Sequence, residues 1–174
     1  MDREEGLRFL RAHQPLPPDT SLDEETIRRF DTVRAFFAAN PDTECIPLFL
    51  NAFGEGSGFG IYQLCDDVFR AYPQSSLTPH LAAALSSPRR SVRYWAAHWA
   101  MEFSAPEFVA PLVQLLATQE DDDAHYYCLA ALQFIWEEHS SAEALAALQR
   151  GAQTETDLDR MGLLREALSG INER

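Results

Sequence analysis

Apolar residues recur along this chain at the spacing of a helix face. Val92, Ala96, Trp99, Ala100 and Phe103 fall at i, i+4, i+7, i+8 and i+11, which predicts an amphipathic helix there. Leu81 and Leu85 mark a second apolar stripe, and Leu112, Leu115 and Leu116 a third. These stripes belong to a repeat. Cys45–Phe53 (CIPLFLNAF), Leu77–Leu85 (LTPHLAAAL) and Val109–Ala117 (VAPLVQLLA) superimpose at a spacing of 32, with Pro47, Pro79 and Pro111 in one register. The stretches that follow, Gly60–Ala71, Val92–Phe103 and Ala124–Ile135, superimpose too, with Tyr62, Tyr94 and Tyr126 in register. The next step reaches Glu143, where Leu145 and Leu148 continue the apolar positions, and a fourth second-half copy over Asp159–Leu168 fits after a short slip. Each unit therefore reads as a helix pair, A then B. One pair cannot bury its stripe alone, whereas stacked pairs can.

Residues 1–42 look different, although Pro15 and Phe30 also fall on the 32-residue grid, as a decayed copy or by coincidence. Arg3–His13 reads as a short helix, and Gln14-Pro-Leu-Pro-Pro18 as an extended linker. Ser21-Leu-Asp-Glu24 has the form of a capping box opening a second helix through Ala39, stopped by Asn40-Pro41. The stripe Ile27, Phe30, Val33/Arg34 and Phe37 predicts packing on the first repeat. The expectation is an N-terminal helical cap over 1–42 and repeats over 43–174, in a single compact domain.

The segment Leu85-Ser-Ser-Pro-Arg-Arg-Ser-Val-Arg-Tyr-Trp-Ala-Ala97 resembles HEAT-like repeats of the short bacterial type. Their pattern is a leucine closing helix A, a short polar turn, and V-R-x-x-A-A opening helix B. Val92, Arg93, Ala96 and Ala97 match it. The resemblance spans residues 43–171 and is fullest in the Val92 copy. It departs from the pattern where Pro88 and Arg89 stand in place of the usual acidic turn residue. The spacing of 32 is also shorter than the ~40–47 residues of longer HEAT units. The resemblance implies an all-α, right-handed α-α superhelix of about four helix pairs behind an N-terminal helical cap. It also implies an extended concave surface lined by the B helices.

Charge narrows the partners. Among 174 residues there are 27 acidic and 14 basic side chains, all of the latter Arg, for a net charge of -13. Such a chain repels nucleic acid and anionic membranes and attracts a basic protein. No apolar run approaches the ~18–20 residues that span a bilayer. The charged start MDREEGLRFLRAH has no signal-peptide core. Three cysteines, Cys45, Cys65 and Cys128, without CxxC or Cys/His clustering, point to a reducing compartment and a cytoplasmic protein.

The stretch Gly54-Glu-Gly-Ser-Gly-Phe-Gly60 invites a phosphate-loop reading, which fails on its residues. A Walker loop needs Lys, and the chain has none. A dinucleotide fingerprint needs a third glycine where Phe59 or Ile61 stands. In the repeat register the stretch is the A–B turn of the first unit, where glycine permits positive φ. Anion binding at the following helix start is opposed by Glu55, Asp66 and Asp67.

Other chemistry is equally thin. Iron-dependent hydroxylases on HEAT-like repeats use His-Glu dipeptides, and none of His13, His80, His98, His125 and His139 precedes a Glu. Glycosylases of this type need a basic groove, and nothing selects a bilin for a lyase. His98 and Glu102 are i, i+4 neighbours, but no second pair completes HExxH. Glu120–Asp123 reads as a solvated, helix-capping turn rather than a cation site, and Arg89/Arg90 align with Asp121/Asp122 for a weak turn-to-turn pairing. No GxSxG motif occurs. The expectation is no catalytic residue, no cofactor and no metal.

A partner surface is the better candidate. The B-helix positions not assigned to the core are Gln63, Asp66 and Arg70, then Trp95, His98 and Glu102, then Tyr127, Ala130 and Phe134, with Tyr94 and Tyr126 beside them. Aromatic anchors among acidic neighbours suit protein binding. Trp95 and His98 are expected to be exposed, and Trp99, Cys128 and Trp136 buried. Tyr62, Tyr94 and Tyr126 fit an internal ladder between repeats or a place on the binding surface. The function that follows is non-catalytic protein binding, in the manner of an acidic immunity protein neutralising a basic toxin. A general interaction scaffold or regulatory adaptor is the alternative, ahead of a HEAT-like enzyme such as a lyase.

Overall fold

The computed structural model describes residues 1–118 and 122–172, and the regular elements among them are all helical. They are α1 (Arg3–Ala12), α2 (Glu24–Ala39), α3 (Cys45–Ala52), α4 (Asp66–Phe69), α5 (Gln74–Leu85), α6 (Arg90–Glu102), α7 (Val109–Leu116), α8 (Asp122–His139), α9 (Ala142–Thr154) and α10 (Leu158–Asn172), with short 3-10 turns at 58–60, 63–65 and 106–108. The contacts divide the chain into two compact units. The N-terminal unit comprises 1–80 and 89–92, and the C-terminal unit 81–88 and 93–174.

In the N-terminal unit α1 packs on α2 and α3, and α2 packs on α4. The stripe of α2 buries Phe30, Val33 and Phe37 completely, as its spacing requires. Around it runs a series of edge-to-face rings. Phe37 meets Phe49 at 6.1 Å, Phe49 meets Phe30 at 5.7 Å, and Phe30 meets Tyr62 at 5.9 Å. Tyr62 then meets Phe53 at 5.3 Å. Each such pair is worth ~0.5–1.5 kcal/mol beyond the area it buries. Residues 1–42 share this unit with α3. The Arg3 guanidinium pairs with Asp42 and Glu44, and Arg11 with Glu44, all half-exposed except the more buried Asp42.

Two local expectations are corrected here. The cap of α2 is Asp23, whose carboxylate accepts from Thr26 N at 2.7 Å, and not Ser21, whose hydroxyl donates to the Pro18 carbonyl at 3.3 Å. The first B segment is also not a continuous helix. Gly58, Phe59 and Gly60 have φ of 59°, 53° and 93°, outside the right-handed helical region. The chain from 58 to 69 is thereby reduced to two 3-10 turns and the four-residue α4.

In the C-terminal unit α8 packs against α7, α9 and α10, and α9 against α7 and α10. Its core is built from Trp99, Phe108, Leu112, Cys128, Leu132, Ile135 and Leu148. The turn between α8 and α9 uses Ser140 at φ 53° and Ser141 as N-cap, its hydroxyl accepting from Ala144 N at 3.3 Å. The His139 ring closes a long connection by donating from Nε2 to the Ser104 carbonyl at 3.0 Å.

A candidate protein-binding groove

One face of α8 presents Tyr126, Ala130, Phe134 and Glu138 at successive intervals of four, so they stand one above another. Leu129 and Gln133 flank them. Opposite stand Leu163, Glu166, Ala167 and Ser169 of α10, and Met101 and Glu102 close one end from α6. Together they enclose an open groove of about 690 Å³ within the C-terminal unit. Tyr126 is 51% and Phe134 39% exposed. Two large rings half in water are a standing hydrophobic cost unless something covers them. Three carboxylates, Glu102, Glu138 and Glu166, share the lining, and no Arg, Lys or His does among the described residues.

The residues expected to form a binding face divide into three sets. Glu102 and Tyr126 belong to the groove. Tyr94, Trp95, His98 and Tyr127 instead form a cluster of rings. Tyr94 meets Tyr127 at 5.4 Å, His98 meets Tyr127 at 5.0 Å, and Trp95 meets both Tyr94 and His98 at 5.4 Å. Trp95 is 3% exposed, which corrects the expectation that it is a surface anchor. The ring faces sideways from α6 into this cluster, where its apolar area is removed from water. Tyr94, His98 and Tyr127 are half-buried behind it. The third set, Gln63, Asp66 and Arg70, belongs to the N-terminal unit. There Gln63 and Arg70 are exposed, and Asp66 pairs with Arg70 at 2.6 Å.

The three tyrosines, which fit either an internal ladder or a binding surface, divide. Tyr62 is fully buried, Tyr94 half-buried and Tyr126 mostly exposed. The three share a sequence register but not an environment. Leu163 and Glu166 of α10 and Met101 of α6 were not foreseen in the site. The slip needed to align the last copy blurs which face of α10 turns inward.

The glycine stretch does hold an anion, and the anion is the chain's own Asp19. Its carboxylate accepts from Ser57 N at 3.0 Å and Gly58 N at 2.9 Å, while Asp19 N donates to the Glu55 carbonyl at 3.1 Å. A side chain at Gly56 would strike the Asp19 carboxylate, and one at Gly58 would reach within 2.7 Å of the Tyr62 ring. The loop is thus a nest of amides filled internally. It packs against Tyr62, whose hydroxyl accepts from Gly54 N at 3.2 Å.

Buried titratable groups gather in the same unit. Burial pushes the Cys45 thiol up to about 11 and the Tyr62 phenol up to about 12, and raises Cys65 and Tyr72 further. Tyr72 is held in a small network, donating to the Asp42 carbonyl at 2.9 Å and lying 3.1 Å from Cys45 Sγ. Thiols held protonated in this way are structural and unreactive. Among the described residues no group of three or more His, Cys, Asp and Glu side chains is placed to hold a metal ion. The acidic turn over Gln119–Asp121 and the side chains of Asp122 and Asp123 lie outside the described residues. With them lie the expected helix-capping role of this turn, the disfavoured cation reading and the pairing with Arg89 and Arg90. No helix among the described residues is long and apolar enough to cross a membrane. Comparison with protein-family models, with curated proteins and with solved structures found no match to this chain.

Proposed function

We propose that this chain is a non-catalytic protein-binding module of HEAT-like repeat type. In this reading the groove of the C-terminal unit receives a basic, amphipathic segment of a partner protein. The observation that carries the reading is the pairing of two exposed rings, Tyr126 and Phe134, with three glutamates in one groove. Rings supply the central anchors of protein interfaces. Carboxylates around them steer Lys and Arg side chains and accept their hydrogen bonds. A net charge of -13 extends that steering beyond the groove. A cytoplasmic immunity protein that captures a basic toxin is the specific form we favour. A regulatory adaptor with several partners is the form it competes with.

The test is capture from the native organism's lysate at low and moderate salt, with Tyr126→Ala/Phe134→Ala beside wild type. Loss of two anchors should cost about 2 kcal/mol or more, roughly thirtyfold in affinity. Glu102→Gln/Glu138→Gln/Glu166→Gln should slow association about tenfold at low salt and little at high salt. A single basic protein, lost in the ring variant and weakened by salt, supports toxin capture. Several unrelated proteins indifferent to both variants overturn it.

A further inference from the structure

The groove beside α8 also constrains the conformation of what it holds, provided that the protein-binding reading above is right. Its lining residues all lie in α6, α8 and α10, each beyond the first turn of its helix. Their main-chain N–H groups are therefore spent on the helices' own hydrogen bonds. Side-chain donors are few. The Ser169 hydroxyl donates to the Glu166 carbonyl at 2.9 Å, and the Gln133 amide donates to the Glu137 carboxylate at 3.1 Å. Tyr126 adds one phenolic O–H, and the glutamates of the lining only accept when ionised. The floor between them is apolar. Leu129 and Ala167 are buried, and Met101, Ala130 and Leu163 half-buried. An extended segment docks by trading main-chain hydrogen bonds with a sheet edge. On this floor its carbonyls would lose water and meet almost no donor, which is costly. A helix pairs its own main chain and brings only side chains to the floor.

We propose that the groove takes its partner segment as a basic amphipathic α-helix and not as an extended strand. The face of α8 from Tyr126 to Glu138 runs three intervals of four residues, or ~18 Å at the helical rise, which matches about three turns of a bound helix. Ala130 lies midway between Tyr126 and Phe134, so its small side chain leaves a gap between the two rings. One large apolar side chain of the partner seats in that gap, with its apolar neighbours at i+3, i+4 and i+7 along the floor. Lys or Arg side chains at the edges of its apolar face reach the glutamates.

Two fluorescently labelled peptides of leucine and lysine, each about 14 residues long and identical in composition and charge, make the test. One places its leucines at helical spacing and the other at alternate positions, so each is amphipathic in one conformation only. Anisotropy titrations with the whole chain at ~0.15 M salt should show the first bound at least about tenfold more tightly. Ala130→Trp closes the gap between the rings and should weaken that binding about tenfold, with the helical circular dichroism of the protein unchanged. Unchanged affinity in this variant would overturn the seat over Ala130. Equal or tighter binding of the alternating peptide, with both peptides lost in Tyr126→Ala/Phe134→Ala, would overturn the helical form and leave the groove reading standing. No saturable binding of either peptide, or binding indifferent to the ring variant, would overturn the groove reading and this inference with it.

Discussion

Residues 58–69 and the first turns of α8 occupy the same place in the 32-residue spacing, and they fold differently. In the first, Gly58, Phe59 and Gly60 take positive φ, and the segment breaks into 3-10 turns before the short α4. In the second, Ala124–Ile135 lies inside the 18-residue α8. Tyr62 is buried against Phe53 and Phe30, and Tyr126 faces a groove. Equal spacing in the sequence thus does not decide the local structure at each position. Where glycines and an internal carboxylate build the segment, the tyrosine turns inward and becomes structural. In a continuous helix, the residues one turn apart form a face that a partner can read.

The largest expected effect sharpens this contrast through alkaline pH. Cys45 rises from an ordinary 9.0 to about 11 and Tyr62 from 10.0 to about 12, both because burial disfavours the charged form. A raised pKa means that the unfolded chain releases its proton first. The stability these groups contribute is therefore intact below pH 9, and it falls as pH rises through the window from about 9 to 12. Each shift corresponds to about 2–3 kcal/mol, and raised Cys65 and Tyr72 act in the same direction. Urea unfolding at pH 7.5 and pH 10.5 should show the loss, and Cys45→Ala should reduce its pH dependence. A flat profile to pH 11 would mean that the unit around Tyr62 is not closed to water.

Next in size is the link between Asp19 and the glycine loop. Asp19→Ala removes the acceptor of Ser57 N and Gly58 N. With charged hydrogen bonds at stake but the loop near solvent, we expect a loss of about 1–3 kcal/mol. Asp19→Asn keeps one acceptor oxygen and should recover part of it. Hydrogen exchange of the two amides gives the local check. Faster exchange there, with α8 unchanged, is the expected outcome, and unaltered exchange would show that the carboxylate does not hold the loop.

The legible features of the sequence were those governed by helical spacing. α1, α2, α3, α7 and α9 begin and end near the positions implied by the stripes and the prolines. Phe30, Val33 and Phe37 are the inward face of α2 as their spacing requires. Ala130 and Phe134 stood out in an unassigned stripe with Tyr126 beside it, and all three line the groove, whereas Tyr127 of the same stripe joins the ring cluster. What was not legible depended on contacts far apart in sequence. Asp19 gives no local sign that it will fill a loop at 56–58. Trp95 and Tyr126 look alike as aromatics on or beside the exposed stripe, yet the first is buried with the rings of Tyr94 and His98 against it. The groove itself joins α6, α8 and α10, and no single helix announces it.

The smallest effect is the sharpest test of the comparison, because one substitution should act with opposite signs in the two regions. Phe59 sits at φ 53° with 64% of its surface exposed. A non-glycine residue there costs roughly 1–2 kcal/mol in backbone strain. Glycine relieves that strain and loses little packing, although its larger unfolded-state entropy takes back ~0.5–1 kcal/mol. Phe59→Gly should therefore stabilise the protein slightly, by about 0.5–1 kcal/mol. Phe134→Gly places glycine inside α8, where helix propensity alone costs ~0.3–0.5 kcal/mol relative to Phe and the half-covered ring loses its contacts. The two variants, unfolded side by side in urea, should move the midpoint in opposite directions. Destabilisation by Phe59→Gly would mean that the exposed ring makes a contact the loop depends on. In that case the loop would be shaped to present Phe59 as well as to accommodate Asp19.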